Sequence, residues 1–331
     1  MINKLDSLNI EKSLELFPEQ VINSFEQGLD ANVPTISANG VVVSGMGGSA
    51  NAAKIIQGLY EQDLKIPFIV HSDYDLPAWV SSDTLVIVNS YSGNTEEGLS
   101  NYEKAKKIGA KVIGISTGGK IRDVVIDPKD TNPSRYPKSG LGVSLGALMG
   151  VLTKAKIINV SLDDLKTALA ELIEIRKNWD AKECAIKLDG FLPVLFGGKP
   201  FIGSLNSARN AFCEISRNFV QFYDFPEVNH VLVEAMGKPD STQKLHYIFF
   251  ESKYNHPRVL LRYQITKKLL DRQNLLHSTY QLKGSSSLAQ ALELPHYCAW
   301  VGYHLSILQN TDPGPEPWII ELKEALSQPV H

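Results

Sequence analysis

Gly40-Val41-Val42-Val43-Ser44-Gly45-Met46-Gly47-Gly48-Ser49 is the stretch that decides the fold. A β-branched run without polar alternation reads as a strand buried on both faces. The glycines after it read as a strand-to-helix turn, and Ala50 to Tyr60 as the helix. The same order continues outward. Ile66 to Val70 is a second apolar run and Thr84-Leu85-Val86-Ile87-Val88-Asn89 a third; then come a helix from Glu96 to Ile108 and a strand from Lys111 to Ser116. Strands of this kind separated by helices predict a doubly wound α/β domain with a parallel sheet. Ahead of it, Ser7 to Leu29 reads as two helical pieces parted at Pro18. Behind it, Gly140 to Ile158 is a helix rich in small residues, suited to close packing or to a crevice wall. Ser161 to Trp179 is an amphipathic connector with Asp163 and Asp164 in its first turn.

The alternation then restarts. Leu192 to Gly198 and Phe201-Ile202-Gly203 read as a strand and turn, and Asn206 to about Phe222 as a helix. Leu245 to Phe250 is a strand, Pro257 to Asp271 a helix, Leu275 to Leu282 a strand and Ser287 to Leu308 a long helix. A loop from Asp312 to Pro317 leads to a last helix, Trp318 to Leu326. The expectation is two flavodoxin-like α/β subdomains, 1–155 and 156–331, with no residue-level repeat.

Composition sets the limits on function. The 331 residues carry 33 Lys+Arg against 36 Asp+Glu, a net charge of −3. Divided after Ala155, the chain has 14 basic and 17 acidic residues, then 19 of each, so no basic half is available to track nucleic-acid phosphates. No apolar run approaches the roughly 18 residues of a spanning helix, and Met1 to Asp6 lacks a signal-peptide pattern, which predicts a cytoplasmic protein away from membranes. Cys184, Cys213 and Cys298 are far apart and form no C-x-x-C pair, so reduced, partly buried thiols are expected rather than a disulfide framework or a zinc site.

Two strand-to-helix turns concentrate the chemistry: Ser44 to Ser49, and Ser90-Tyr91-Ser92-Gly93-Asn94-Thr95-Glu96-Glu97. In a parallel sheet such turns border the ligand crevice, where free amides and the helix dipole attract anions. The first turn lacks the Gly-Lys-Ser/Thr ending of a P-loop and fits a dinucleotide fingerprint only with Ala50 as its third small residue, so a tight turn and an anion site explain it equally well. The second has three hydroxyls, from Ser90, Ser92 and Thr95. Helix capping by Asn94 or Thr95 would account for one of them. No lysine lies in either turn, so hydroxyls and backbone dipoles would meet a phosphate's charge.

Both turns closely resemble the signature loops of sugar isomerase (SIS) domains. With Pro133-Ser134-Arg135, the stretch from Glu214 to His230 ending Phe225-Pro226-Glu227-Val228-Asn229-His230, and a C-terminal helix bearing Lys323, the chain from about residue 35 onward resembles the bifunctional phosphoglucose/phosphomannose isomerases of archaea and bacteria. The resemblance implies two SIS-type subdomains, a homodimer with active sites at its interface, a sugar phosphate substrate, and no metal or cofactor. It assigns phosphate binding to Gly48, Ser49, Ser90, Ser92 and Thr95, and the active-site arginine to Arg135. The base falls on Glu214, 13 residues before Glu227. Ring opening is assigned to His230 of the neighbouring subunit, with Lys323 assisting.

These assignments agree with what aldose–ketose isomerisation requires. Opening the ring needs a proton relay between O5 and O1, which an imidazole supplies. Moving a proton between C1 and C2 through a cis-enediol needs a carboxylate in a water-poor pocket. The enediolate needs a fixed positive group. Without the family spacing, Glu214 reads as a surface charge near Arg217, Arg135 as a solvated loop residue, His230 as a loop histidine and Lys323 as part of a solvated helix face. The sequence also departs from the family: Cys213 and Ile215 flank Glu214 where asparagines are common, Val231 follows His230, and the loop from Asp312 to Glu316 lacks the threonine that in some members makes room for the mannose epimer. Glucose 6-phosphate is the firmer expected substrate and mannose 6-phosphate the further one. The alternative is a sugar-phosphate sensor with little turnover. An isomerase for another sugar phosphate leaves the second domain unexplained, and no N-terminal cysteine supports amide transfer.

Overall fold

The computed structural model describes residues 4–326, so the outer ends of the two expected subdomains lie outside it. Two short helices, α1 (Ile10–Glu15) and α2 (Phe17–Asp30), precede the first sheet. Its strands β1 (Gly40–Ser44), β2 (Phe68–His71), β3 (Thr84–Asn89), β4 (Lys111–Ser116) and the two-residue β5 (Val124–Val125) are all parallel, in the order β2-β1-β3-β4-β5. Every residue of β1 and β3 is buried, as their unbroken apolar runs require. Helices α3 (Gly47–Tyr60), α4 (Glu96–Ile108) and α5 (Leu141–Lys154) complete this half.

After α6 (Leu162–Arg176) and α7 (Ala181–Leu188), the second half repeats the winding with one strand fewer. β6 (Leu192–Gly198), α8 (Ile202–Ala211), β7 (Gln221–Phe225), α9 (Val228–Val231), β8 (Leu245–Glu251), α10 (Pro257–Arg272), β9 (His277–Gln281), α11 (Ser287–Leu308) and α12 (Pro317–Leu326) follow, with strand order β7-β6-β8-β9. The expected α/β class with two doubly wound parallel sheets is therefore present. One apolar cluster runs through both halves, joining Ile56 and Leu85 to Leu205 and Leu292. Among the described residues, no helix is long and apolar enough to cross a membrane.

One expected element is replaced. The helix anticipated from Asn206 to Phe222 begins earlier, at Ile202, and is α-helical only to Ala211; Phe212–Ser216 is a π turn, and Arg217 ends it in the left-handed region with φ 55°. Residues 221–225 form β7 instead, paired with β6 from Val194↔Gln221 to Gly198↔Phe225. The open edge of β6 captures a segment whose own pattern suits a helix about as well, so tertiary pairing overrides propensity. Phe201-Ile202-Gly203, expected as a turn after the strand, leads straight into α8.

Two close helix contacts position everything else. On α5, a Cβ on Gly142 would lie 2.9 Å from the Phe17 carbonyl oxygen, and one on Gly146 or Gly150 would overlap the carbonyl oxygen of Val21 or Phe25 on α2. The small residues of α5 therefore serve helix packing, not a crevice wall. On α8, a Cβ at Gly203 would overlap the Lys54 backbone of α3, and Gly58 faces Pro200 in the same way. Since 203 meets 54 and 200 meets 58, α3 and α8 run antiparallel, and the start of α3 meets the end of α8. Helix α11 packs beside them. Its Pro295 has no N–H for the Ala291 carbonyl, and the Ser204 hydroxyl of α8 donates to that oxygen at 2.8 Å.

Candidate active site

The order β2-β1-β3 puts the reversal of winding between β1 and β3, so the turns leaving those neighbouring strands flank the crevice of a doubly wound sheet. α3 begins at Gly47, not at Ala50, so Gly48 and Ser49 lie in its first turn, whose amides lack intrahelical acceptors. The Ser49 hydroxyl accepts from Tyr91 N at 3.2 Å, and Asn89 Nδ2 donates to the Ser49 carbonyl at 3.1 Å, which ties the two turns together. Thr95 is the N-cap residue of α4, yet its hydroxyl makes no capping bond and pairs with the Ser90 hydroxyl at 2.8 Å. The Ser92 hydroxyl accepts from Asn94 N at 3.3 Å. Capping thus accounts for none of the three hydroxyls at the helix start, and Ser49, Ser90 and Thr95 are held ready beside two helix N-termini.

A third loop joins them. Tyr91 Oη accepts from Asn132 Nδ2 at 2.7 Å, Ser134 Oγ donates to Asn132 Oδ1 at 2.8 Å, and Gln20 Nε2 donates to the carbonyls of Ser13, Thr131 and Ser139. This pinning holds Arg135 at φ 59°, a conformation that costs a non-glycine residue of order 1 kcal/mol and persists only where the surroundings enforce it. Its side chain stands exposed.

The antiparallel contact of α3 with α8 brings Glu214, in the π turn, to the start of α3. One cleft is lined by Gly48, Asn51, Lys138, Asn210, Glu214 and His296. Desolvation pushes the Glu214 carboxyl up to about 7; Glu316 raises it further, while Lys138, Arg209 and Lys323 pull it down. At that value the group exchanges protons near neutrality. His296, stacked on Phe17 at 4.7 Å, is driven well below its ordinary value by burial and then by Arg176, so it is a neutral imidazole. Asn51 Nδ2 and His296 Nδ1 are buried without a partner among the described residues. These are unmet polar groups suited to a hydroxyl-rich ligand. No group of three His, Cys, Asp or Glu side chains among the described residues is arranged to hold a metal ion.

The expected residues separate into two sets. Gly48 and Glu214 share the cleft, Ser49, Ser90 and Thr95 adjoin it through their hydrogen bonds, and Lys323 on α12 acts on Glu214 through its charge. His230 stands exposed on α9, after β7, and is not among the cleft residues. Of the departures beside the base, Ile215 turns into the core with Ile10, Leu14 and Tyr303, and Val231 is exposed, so neither lines the cleft.

Lys138, Glu316 and Asn51 were not anticipated. Asn51, a lone amide in the run from Ala50 to Ala53, was visible as the one polar interruption of an alanine face. Lys138 and Glu316 had no local signal, because each meets Glu214 from a distant part of the chain.

Residues 36–120 match the family model described as SIS domain, and residues 177–326 match that of the bacterial phospho-glucose isomerase C-terminal SIS domain. The chain is 32% identical to a bifunctional phosphoglucose/phosphomannose isomerase of Caldicellulosiruptor bescii, over 96% of this chain and 98% of that one. It is also 32% identical to a protein of the same description from Aquifex aeolicus, over 87% and 91% of the two chains. Among solved structures, the C-terminal domain of glucosamine-fructose-6-phosphate aminotransferase from Francisella tularensis superposes with a TM-score of 0.70 at 14% identity, covering 95% of this chain and all of that one, a likeness of fold.

Proposed function

Because the chain belongs to the bifunctional phosphoglucose/phosphomannose isomerases, we propose that it interconverts glucose 6-phosphate, and mannose 6-phosphate as a second substrate, with fructose 6-phosphate through a cis-enediol. The observation that carries the reading is the Glu214 carboxyl, desolvated to a value of about 7 in the same cleft as the first turn of α3. In this reading Gly48, Ser49, Ser90, Ser92 and Thr95 hold the phosphate at two helix N-termini, and Glu214 moves the proton between C1 and C2. Arg135 offsets the enediolate charge, and Lys323 assists ring opening. The first subdomain, 1–155, supplies the phosphate site, and the second, 156–331, the base.

His230, exposed and away from its own chain's cleft, is assigned to the cleft of a second subunit. The exposed Trp318 and Leu322 of α12 support such a dimer by offering apolar surface. Complementation tests this assignment. Glu214→Gln and His230→Ala subunits are each expected to be inactive alone. After unfolding and refolding together they should recover about a quarter of wild-type activity, because half of the random dimers are mixed and each mixed dimer has one whole site. No recovery would place His230 in its own subunit's site, and activity in His230→Ala alone would place it outside catalysis.

The function is tested by following fructose 6-phosphate formation from each aldose phosphate with EDTA present. Turnover insensitive to EDTA is expected; fructose 6-phosphate binding without turnover would overturn the enzyme reading in favour of a sensor. The phosphate site has its own test. Ser90→Ala with Thr95→Val removes two hydroxyls that would face the phosphate, and losing a hydrogen bond to a charged group costs about 1.5–3 kcal/mol. With two such bonds lost, KM for glucose 6-phosphate should rise about 100-fold or more with a smaller change in kcat.

A further inference from the structure

Lys138 lies in a short 3₁₀ turn, Pro137–Ser139, between the Arg135 loop and α5, and its side chain is 1% exposed. Its ammonium donates to the Glu214 carbonyl at 3.2 Å and stands 3.6 Å from Glu316 Oε1. The carbonyl it takes belongs to the final turn of a helix, where backbone acceptors lack N–H partners. Glu316 is 13% exposed and sits just before α12, in a loop bolted to the base's own turn. Arg217, which ends the π turn, donates from Nη2 to the Asp312 carbonyl at 3.1 Å and the Pro315 carbonyl at 2.7 Å, and Asp312 Oδ1 accepts from Gly314 N at 2.8 Å. Leu8 fills the space against Gly314, and Pro313 and Gly314 are buried. The loop that carries Glu316 is therefore fixed to the elements that carry Glu214 and Lys138.

We infer that Lys138 and Glu316 are positioning residues for Glu214: two buried opposite charges from distant parts of the chain, one gripping the backbone of the base, which together set the pH range over which it works. This rests on the isomerase reading for its catalytic meaning. The charged groups around the base come from four elements: Glu316 from the loop, Lys138 from the 3₁₀ turn, Arg209 from α8 and Lys323 from α12. Arg217 adds to the positive side by acting on Lys138. The other titratable neighbours are uncharged, since burial lowers His296 and raises the Cys213 thiol. Burial lowers the Lys138 amine as well, while Glu316 and then Glu214 draw it back up. Neither charge is well placed without the other, because removing one member of a buried pair leaves the second uncompensated.

The two charges act on Glu214 with opposite sign. Lys138→Met leaves Glu316 uncompensated beside the base, so the carboxyl holds its proton to higher pH. Glu316→Gln leaves the ammonium uncompensated, so the carboxyl ionises at lower pH. Shifts of about one pH unit or more are expected for charges that act directly on the carboxyl. The experiment measures the acid limb of kcat/KM for glucose 6-phosphate in wild type, Lys138→Met, Lys138→Arg and Glu316→Gln. In parallel, the Glu214 carboxyl is titrated by ¹³C NMR of glutamate-labelled protein and identified by the signal missing from Glu214→Gln. The limb and the titration should move up in Lys138→Met, down in Glu316→Gln, and return towards wild type in Lys138→Arg. Limbs and titrations that stay in place, or move in the same direction in both variants, would overturn the inference. The titration needs no turnover, so opposite shifts in an inactive protein would uphold the pair and sink the isomerase reading instead. If Lys138→Met fails to fold, the downward shift in Glu316→Gln still decides.

Discussion

Glu214→Gln is expected to lower kcat for glucose 6-phosphate by about 10² to 10⁴ with KM nearly unchanged, because an amide keeps the shape of the carboxyl but cannot accept the carbon proton. Steady-state kinetics at pH 7–8 measure it, and a loss below tenfold would remove Glu214 from the role of base. The same substitution should make the protein more stable at alkaline pH. A carboxyl raised from 4.5 to about 7 binds its proton more tightly folded than unfolded. Stability is therefore full below pH 4.5, declines as the pH rises, and has fallen by about 3 kcal/mol once the pH exceeds 7. Glutamine does not ionise and escapes this decline. Urea unfolding should show the variant ahead of wild type at pH 8 and level with it at pH 4.5. The desolvation that raises the Glu214 carboxyl is thus a cost to the fold.

Gly146→Val should have the largest effect on stability. A side chain there would overlap the Val21 carbonyl and press within 3.0 Å of Phe25 N, and both obstacles are helix backbone rather than side chains able to rotate away. Overpacking a core typically costs about 1–3 kcal/mol, and separating two whole helices lies at or beyond the top of that range. A clear fall in the urea midpoint is expected, with loss of soluble protein at higher temperature. Gly118→Ala is the control, since a Cβ at Gly118 meets nothing within 4 Å. Equal midpoints for the two variants would mean that α2 and α5 can part without penalty.

Much of the architecture could be read from local pattern. β3, β4, α4 and α11 begin and end where their apolar runs and flanking residues place them, because a strand buried on both faces leaves a run that little else explains. The error over β7 has an equally local cause. β7 is an edge strand with exposed and half-buried positions, and the residue that ends the helix before it, Arg217, adopts a left-handed conformation more typical of glycine. The hydroxyls of Ser90, Ser92 and Thr95 were legible because they fall within six residues of one another. Glu214 was legible only through its spacing to Glu227. Lys138 and Glu316 could not be found, since a lysine after a proline and a glutamate in a proline-rich loop have nothing in common until the chain has folded.

Pro295 in α11 and Ser204 in α8 are energetically coupled across two helices. A proline inside a helix usually damages only its own element, but here the vacancy it makes is filled from another helix. With proline at 295 the Ser204 hydroxyl is the donor that the Ala291 carbonyl receives in place of an N–H, whereas a residue with an N–H at 295 could share that carbonyl with the hydroxyl, since the oxygen has two lone pairs. The two substitutions are therefore unequal: losing the alcohol while the proline stays leaves a buried carbonyl without a donor, whereas losing the proline leaves the hydroxyl its acceptor.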